Sequence, residues 1–188
     1  MTVPTPESHP VLLNAEADRD SYASSKAIGD FYVRIGAKKL GIDALAIRFF
    51  NQYGPRMVGS KYGQVIGEFI RRGLTEPEFT IIGDGSHTRS FCLVNDGARA
   101  LVELLEKRVT GFINVGNDKE MTILELAHQI HAKLGRSFNP VFLPERPHDH
   151  RRRCPDLSRL YKELPDFQMT ELDRGLDITI DYFRKAVG

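Results

Sequence analysis

The sequence predicts an α/β protein with a largely parallel sheet, and three observations carry that reading. Apolar, strand-like runs alternate with helical segments along the chain. One run, "IDALAIRFF" (42–50), is apolar almost throughout, as a strand buried on both faces must be. The composition, 41% apolar and 27% charged over 188 residues, is that of a soluble globular chain of one domain or one and a half.

Residues 1–20 read as loop, because Pro4, Pro6 and Pro10 punctuate them and no period is visible. Residues 21–40 read as a helix with Ser21 at the N-cap and Gly41 as the stop. Ala27, Phe31, Ile35 and Leu40 approximate one apolar face of it, and Ile28 and Tyr32 widen that face. The strand at 42–50 calls for neighbours on both sides in a full sheet, and in this chain it is expected to present an open edge and bare apolar surface. "NQYGPRMVGSKYG" (51–63) is a loop, and a helix follows to about Leu74. "FTIIG" (79–83) and "TRSFCLV" (88–94) are short strands around a Gly-Asp-Gly turn. Residues 96–108 are helix and 111–116 strand; 122–135 are a helix with Thr122 near its cap, and 140–144 are strand. "DLSRLYKEL" and "ELDRGLDITIDYFRKAV" close the chain as helices. There is no internal repeat.

Bulk properties exclude several classes. A net charge of +1 supplies no global field toward nucleic acid or membrane. Two cysteines, Cys92 and Cys154, form no CxxC and no disulfide framework, which points to a reducing, cytoplasmic compartment. No run approaches the ~18 apolar residues of a membrane span. The polar, proline-rich start lacks the basic and apolar regions of a signal peptide. His128 and His131 stand three apart on a helix, and His148, His150 and Cys154 cluster in sequence. Zinc sites want tighter, paired spacings, so no metal is expected. No G-x-G-x-x-G or G-x-x-G-x-x-G occurs, whereas a nucleotide-cofactor fold would open on strand, glycine-rich turn and helix.

Four segments could carry chemistry. Tyr22 and Lys26 share a helix face at i, i+4, and an ammonium beside a phenol favours the phenolate, a usable general base; such a pair also arises by chance. "RFFNQYGPRM" (48–57) follows the buried strand and puts Asn51, Tyr53 and Arg56 where a parallel sheet binds ligands, although Asn, Gly and Pro are also ordinary turn formers. "GDGSHTRSF" (83–91) places Arg89 in a strand, suited to bidentate phosphate binding or to a surface ion pair. "HDHRRRCPD" (148–156) concentrates Arg151, Arg152 and Arg153, a phosphate patch or a solvated charge run.

In this order, Tyr22-x-x-x-Lys26, "RFFNQYGPRM", "GDGSHTRSF", "NVGNDKEMTILELA" and "RRRCPD" resemble the extended short-chain dehydrogenase/reductases that act with NAD on nucleotide sugars. The resemblance covers nearly the whole chain. It implies the C-terminal portion of a Rossmann-like parallel-sheet domain (1–56) and a smaller α/β substrate-binding domain (57–188). It leaves open whether "FTIIGDGSHTRSFCLV" and 96–116 return to the main domain. It implies Tyr22 as the base that takes the proton of the sugar C4 hydroxyl while NAD takes the hydride from C4, and Lys26 as its activator and ribose contact. Asn51 contacts the nucleotide sugar, Val65 and Ile66 fall near the nucleobase, and Arg89 and Arg153 hold the diphosphate.

"GPRM", "GDGSHTRSF", "TILELA" and R-x-P-D resemble UDP-glucuronate decarboxylases, whereas "YASSK" is more similar to UDP-glucose 4-epimerases and dTDP-glucose 4,6-dehydratases. The reaction therefore stays open among decarboxylation, epimerisation and dehydration of a UDP- or dTDP-sugar. The family's glycine-rich turn, its ribose-binding acid and the Ser/Thr partner of the tyrosine have no counterpart in this sequence. The chain by itself is expected to bind no NAD and to associate, as a homodimer through helix 21–40 or with a complementing N-terminal half. A non-catalytic nucleotide-sugar-binding or partner-subunit module, or a nonfunctional remnant, is the alternative.

Overall fold

A computed structural model describes residues 2–17, 20–57, 64–145 and 150–187 of the protein. The first helix, α1 (Asp20–Leu40), leads into β1 (Leu45–Phe49) and the short β2 (Gln52–Tyr53). After α2 (Val65–Thr75) come β3 (Phe79–Ile82), β4 (Thr88–Ser90), β5 (Cys92–Leu93) and α3 (Val94–Glu106). Then follow β6 (Gly111–Val115), β7 (Glu120–Thr122), α4 (Ile123–Leu134), β8 (Pro140–Leu143), β9 (Arg152–Arg153), α5 (Ser158–Glu163) and α6 (Leu172–Val187).

Pairing is mostly parallel: β1 with β6, β2 with β5, β3 with β8, and β4 with β9. β4 is also antiparallel to β7. Parallel neighbours need crossovers, and helices supply them, so the α/β reading holds. Around the β1–β6 pair, Ile113 and Val115 face a core with Ala100 and Leu104 of α3 and Leu160 of α5, and Leu45 and Ile47 pack against it. Side chains alternate across a strand, so Arg48 and Asn114 lie on the opposite face. There Arg48 meets Asp30 of α1 at 2.9 Å. The second and larger core gathers α2, α4 and α6 over β3 and around Tyr53, with Ile66, Ile70, Ile81, Leu126, Ile130 and Leu176 essentially excluded from water.

Local chemistry sets the element ends. At α4, Thr122 accepts from the Glu125 amide at 3.1 Å and Glu125 reaches back to the Thr122 amide at 2.8 Å, a reciprocal capping box. Gly135 closes that helix at φ 69°, a left-handed position that glycine adopts without a steric penalty.

Several expectations change. The strand foreseen at 88–94 divides at Phe91, and α3 begins at Val94 rather than at residue 96. One is met: β1 has a neighbour on one side only among the described residues, the open edge expected of it, and Phe49 stays half exposed. The proline-punctuated start is not loose throughout: Thr5 bridges to Pro155 in parallel fashion. Helix α1 begins at Asp20, so Ser21 lies inside it. The loop 58–63 falls outside the described residues, as does His148.

Candidate functional site

Tyr22 and Lys26 occupy the first two turns of α1, and the Lys26 ammonium lies 5.3 Å from the centroid of the Tyr22 ring. The helix therefore brings the pair together as the i, i+4 spacing requires. Tyr22 is 69% exposed, so its phenol is open to a reactant. The helix is fixed to β1 by the Asp30–Arg48 ion pair, which Arg48 extends to the Glu7 carbonyl at 2.9 Å.

The two arginines singled out from sequence also come together. Strands β4 and β9 run parallel with Arg89 in register with Arg153 and Thr88 with Arg152. Register partners on adjacent strands share a face, so both guanidinium groups project from the same side of the sheet. Arg89 Nη1 donates to the Thr88 and Arg151 carbonyls at 2.8 and 3.3 Å, which orients its fork in advance.

Sequence reasoning overlooked Glu120, on the other flank of β4. Its carboxylate accepts from Thr88 Oγ1 at 2.7 Å and pairs with Arg152. The Arg152 hydrogen bond, chiefly, holds it below the usual glutamate range. Arg152 is thereby engaged by Glu120, whose charge also acts on Arg89. Only the pairing of β4 with β7 and β9 reveals this, because nothing local marks Glu120.

Asn51 follows β1 with φ 36°, a conformation Asn tolerates better than most residues. Its Nδ2 donates to the Ser90 carbonyl at 3.0 Å and its own carbonyl accepts from the Cys92 amide at 3.2 Å. Asn51 is thus joined to the strand that carries Arg89. Val65 and Ile66 form the first turn of α2, whose N-cap Gln64 makes no side-chain cap. Ile66 is 1% exposed and belongs to the large core, and Val65 packs against that core. What this turn offers a ligand is its backbone.

Both cysteines are buried, and burial raises both thiols, Cys92 to about 11, so neither presents a thiolate near neutral pH. Burial also pushes the Tyr53 phenol well above its ordinary value, which removes it as a base. Among the described residues no cluster of three metal-ligating side chains occurs, and no helix is long and apolar enough to cross a membrane.

The sequence model of the NAD dependent epimerase/dehydratase family matches residues 3–116. UDP-glucuronic acid decarboxylase 3 of Arabidopsis thaliana is 33% identical over 181 residues, which is 96% of this chain and 53% of that protein. The UDP-glucose 4-epimerase of Thermotoga maritima, solved with UDP-glucose, superposes with a TM-score of 0.87 at 27% identity, covering 100% of this chain and 59% of that one. A UDP-N-acetylglucosamine 4-epimerase of Methanobrevibacter ruminantium, in complex with UDP-N-acetylmuramic acid, gives 0.86 at 33% identity, covering 98% and 58%. The chain spans about half the length of the curated relatives it matches.

Proposed function

Because the chain belongs to the NAD dependent epimerase/dehydratase family, we propose that it carries the sugar-nucleotide side of an enzyme that oxidises a UDP-sugar at C4. The observation that carries this reading is the register of Arg89 with Arg153 on β4 and β9. Two forks on one face match the oxygens of a diphosphate, and each N–H to a phosphate oxygen is charge-assisted. Asn51, tied to the same strand through Ser90, meets the sugar, and the backbone of the Val65–Ile66 turn borders the nucleobase.

At the other end of the site, Tyr22 accepts the C4 hydroxyl proton at its phenol oxygen. Lys26 holds its ammonium 5.3 Å from the centroid of that ring. The described residues fit NAD at one end only. Lys26 would meet its ribose, but the pyrophosphate of such a cofactor sits on a helix N-terminus with unoccupied amides. Of the helices that directly follow a strand, α4 has its Ile123, Leu124 and Glu125 amides taken by the His87 and Gly85 carbonyls and the Thr122 hydroxyl, and α3 opens on the buried acid Asp96. NAD supplies hydride acceptance when bound, and no step here is routed through it.

The name of the Arabidopsis relative and the R-x-P-D and "GDGSHTRSF" segments favour a UDP-hexuronate as the sugar nucleotide. A self-associating, non-catalytic nucleotide-sugar module is the second reading, supported by the exposed apolar residues of α1.

The test is calorimetry with UDP and uridine on the full chain. Arg89→Ala and Arg153→Ala should each weaken UDP binding by about 1.5–3 kcal/mol, the scale of hydrogen bonds to charged groups, and spare uridine. Unchanged UDP affinity in either variant would remove the clamp.

A further inference from the structure

Residues 5–7 join the two ends of the proposed site. The Thr5 amide donates to the Cys154 carbonyl and the Thr5 carbonyl accepts from the Asp156 amide, both at 2.9 Å. This segment therefore lies against the stretch that begins with Arg153. Asn114, 1% exposed, donates its Nδ2 to the Thr5 carbonyl at 2.9 Å and to the Asp156 carbonyl at 3.2 Å. Its backbone amide donates to Glu7 Oε1 at 2.9 Å.

On the adjacent strand the register partner of Asn114 is Arg48. Arg48 holds the Glu7 carbonyl and Asp30 of α1 together. The Arg48 guanidinium also lies 5.0 Å from the Phe112 ring centroid, which fixes it from the strand side. A continuous set of hydrogen bonds thus runs from the helix that bears Tyr22, through Glu7 and Asn114, to the backbone beside Arg153. Asn114 is the buried member of this set, and breaking its hydrogen bonds would leave a desolvated amide without a partner, so the set fixes geometry.

We propose that Glu7 and Asn114 are positioning residues that hold Arg153 in place for the diphosphate of the sugar nucleotide and tie it to the helix of Tyr22. The proposal rests on the clamp reading above. Glu7 touches no substrate; it acts by anchoring residues 5–7, against which the 153–156 stretch is laid.

The experiment is titration of UDP and uridine onto the full chain and its Glu7→Ala, Glu7→Gln, Arg153→Ala and Glu7→Ala/Arg153→Ala variants. Glu7→Ala should weaken UDP about fivefold to tenfold and leave uridine unchanged, since the nucleoside has no diphosphate to place. Glu7→Gln, whose side-chain oxygen still accepts from the Asn114 amide, should stay within about twofold of wild type. The double variant should bind UDP within about twofold of Arg153→Ala, because residues that act through one another are not additive. Equal losses for UDP and uridine, or additive losses in the double variant, would overturn the positioning role while leaving the clamp intact. Arg153→Ala at wild-type affinity would overturn the clamp and the positioning role with it.

A second measurement needs no variant. Saturating UDP should slow amide exchange at Thr5 and Asp156 by about threefold or more, since the hydrogen bonds of that segment tighten when Arg153 is engaged. Unchanged exchange in a chain that binds UDP would also overturn the proposal.

Discussion

Helices α1 and α4 pose the same sequence pattern and receive opposite treatment from the fold. Helix α4 spans 12 residues and buries Leu126, Ala127, Ile130 and His131, with a capping box at one end and Gly135 at the other. Helix α1 spans 21 residues and buries only Ala27. Its apolar stripe is outside: Phe31 and Ile28 are each 53% exposed, and Tyr32, Ile35 and Leu40 are exposed as well. An apolar face records that burial is favourable but not what provides it. For α4 the cover comes from α2 and α6 within the chain. For α1, the described residues supply an ion pair to Arg48 and little apolar contact. The candidate residues divide along the same line: the arginine pair stands on β4 and β9 and the tyrosine–lysine pair on α1.

The largest expected effect sharpens this contrast. Leu126→Ala should cost about 2–5 kcal/mol of stability in denaturant titration, because it empties a fully enclosed volume in the larger core. A loss below about 1 kcal/mol would mean that this core is looser than its burial indicates.

Acid should act on α2 and β7, away from α1. Glu68 is held below its ordinary value of 4.5, first by its hydrogen bond to Arg71, and Glu120 likewise by Arg152. A carboxylate whose folded value is lowered contributes stability that is present above its unfolded value. That contribution is lost as the pH falls through the folded value. Stability should therefore decline as pH drops below about 4.5, and Glu68→Gln with Glu120→Gln should flatten the decline. Melting profiles across that range check it, and an unchanged acid limb in the double variant would contradict it.

The smallest effect probes the other region. Phe31→Ala should change the stability of a dilute sample by about 0.5 kcal/mol or less, the usual range at an exposed position. A loss above about 2 kcal/mol, growing with protein concentration, would show that the α1 stripe is covered in solution by a second copy and would break the contrast.

How much was legible follows from how local each signal is. Helix α4 was read almost to the residue because Thr122, Glu125 and Gly135 are neighbours in sequence and act over one turn. Tyr22 and Lys26 were legible for the same reason. Two-residue strands such as β2 and β9 have no period to read, so they were missed, as was the bridge from Thr5 to Pro155. Only the family resemblance pairs Arg89 with Arg153, because their adjacency is a property of β4–β9 register, which long-range packing sets. Burial of Ile66 was hidden likewise, since an apolar residue opening a helix suits a core as well as a ligand wall.

The claim that Arg89 and Arg153 form one diphosphate clamp is tested most directly by a crystal structure of the chain with UDP. The account predicts diphosphate oxygens within about 3 Å of guanidinium nitrogens from both residues, on the face that β4 and β9 share. A UDP whose diphosphate lies away from both arginines would contradict it.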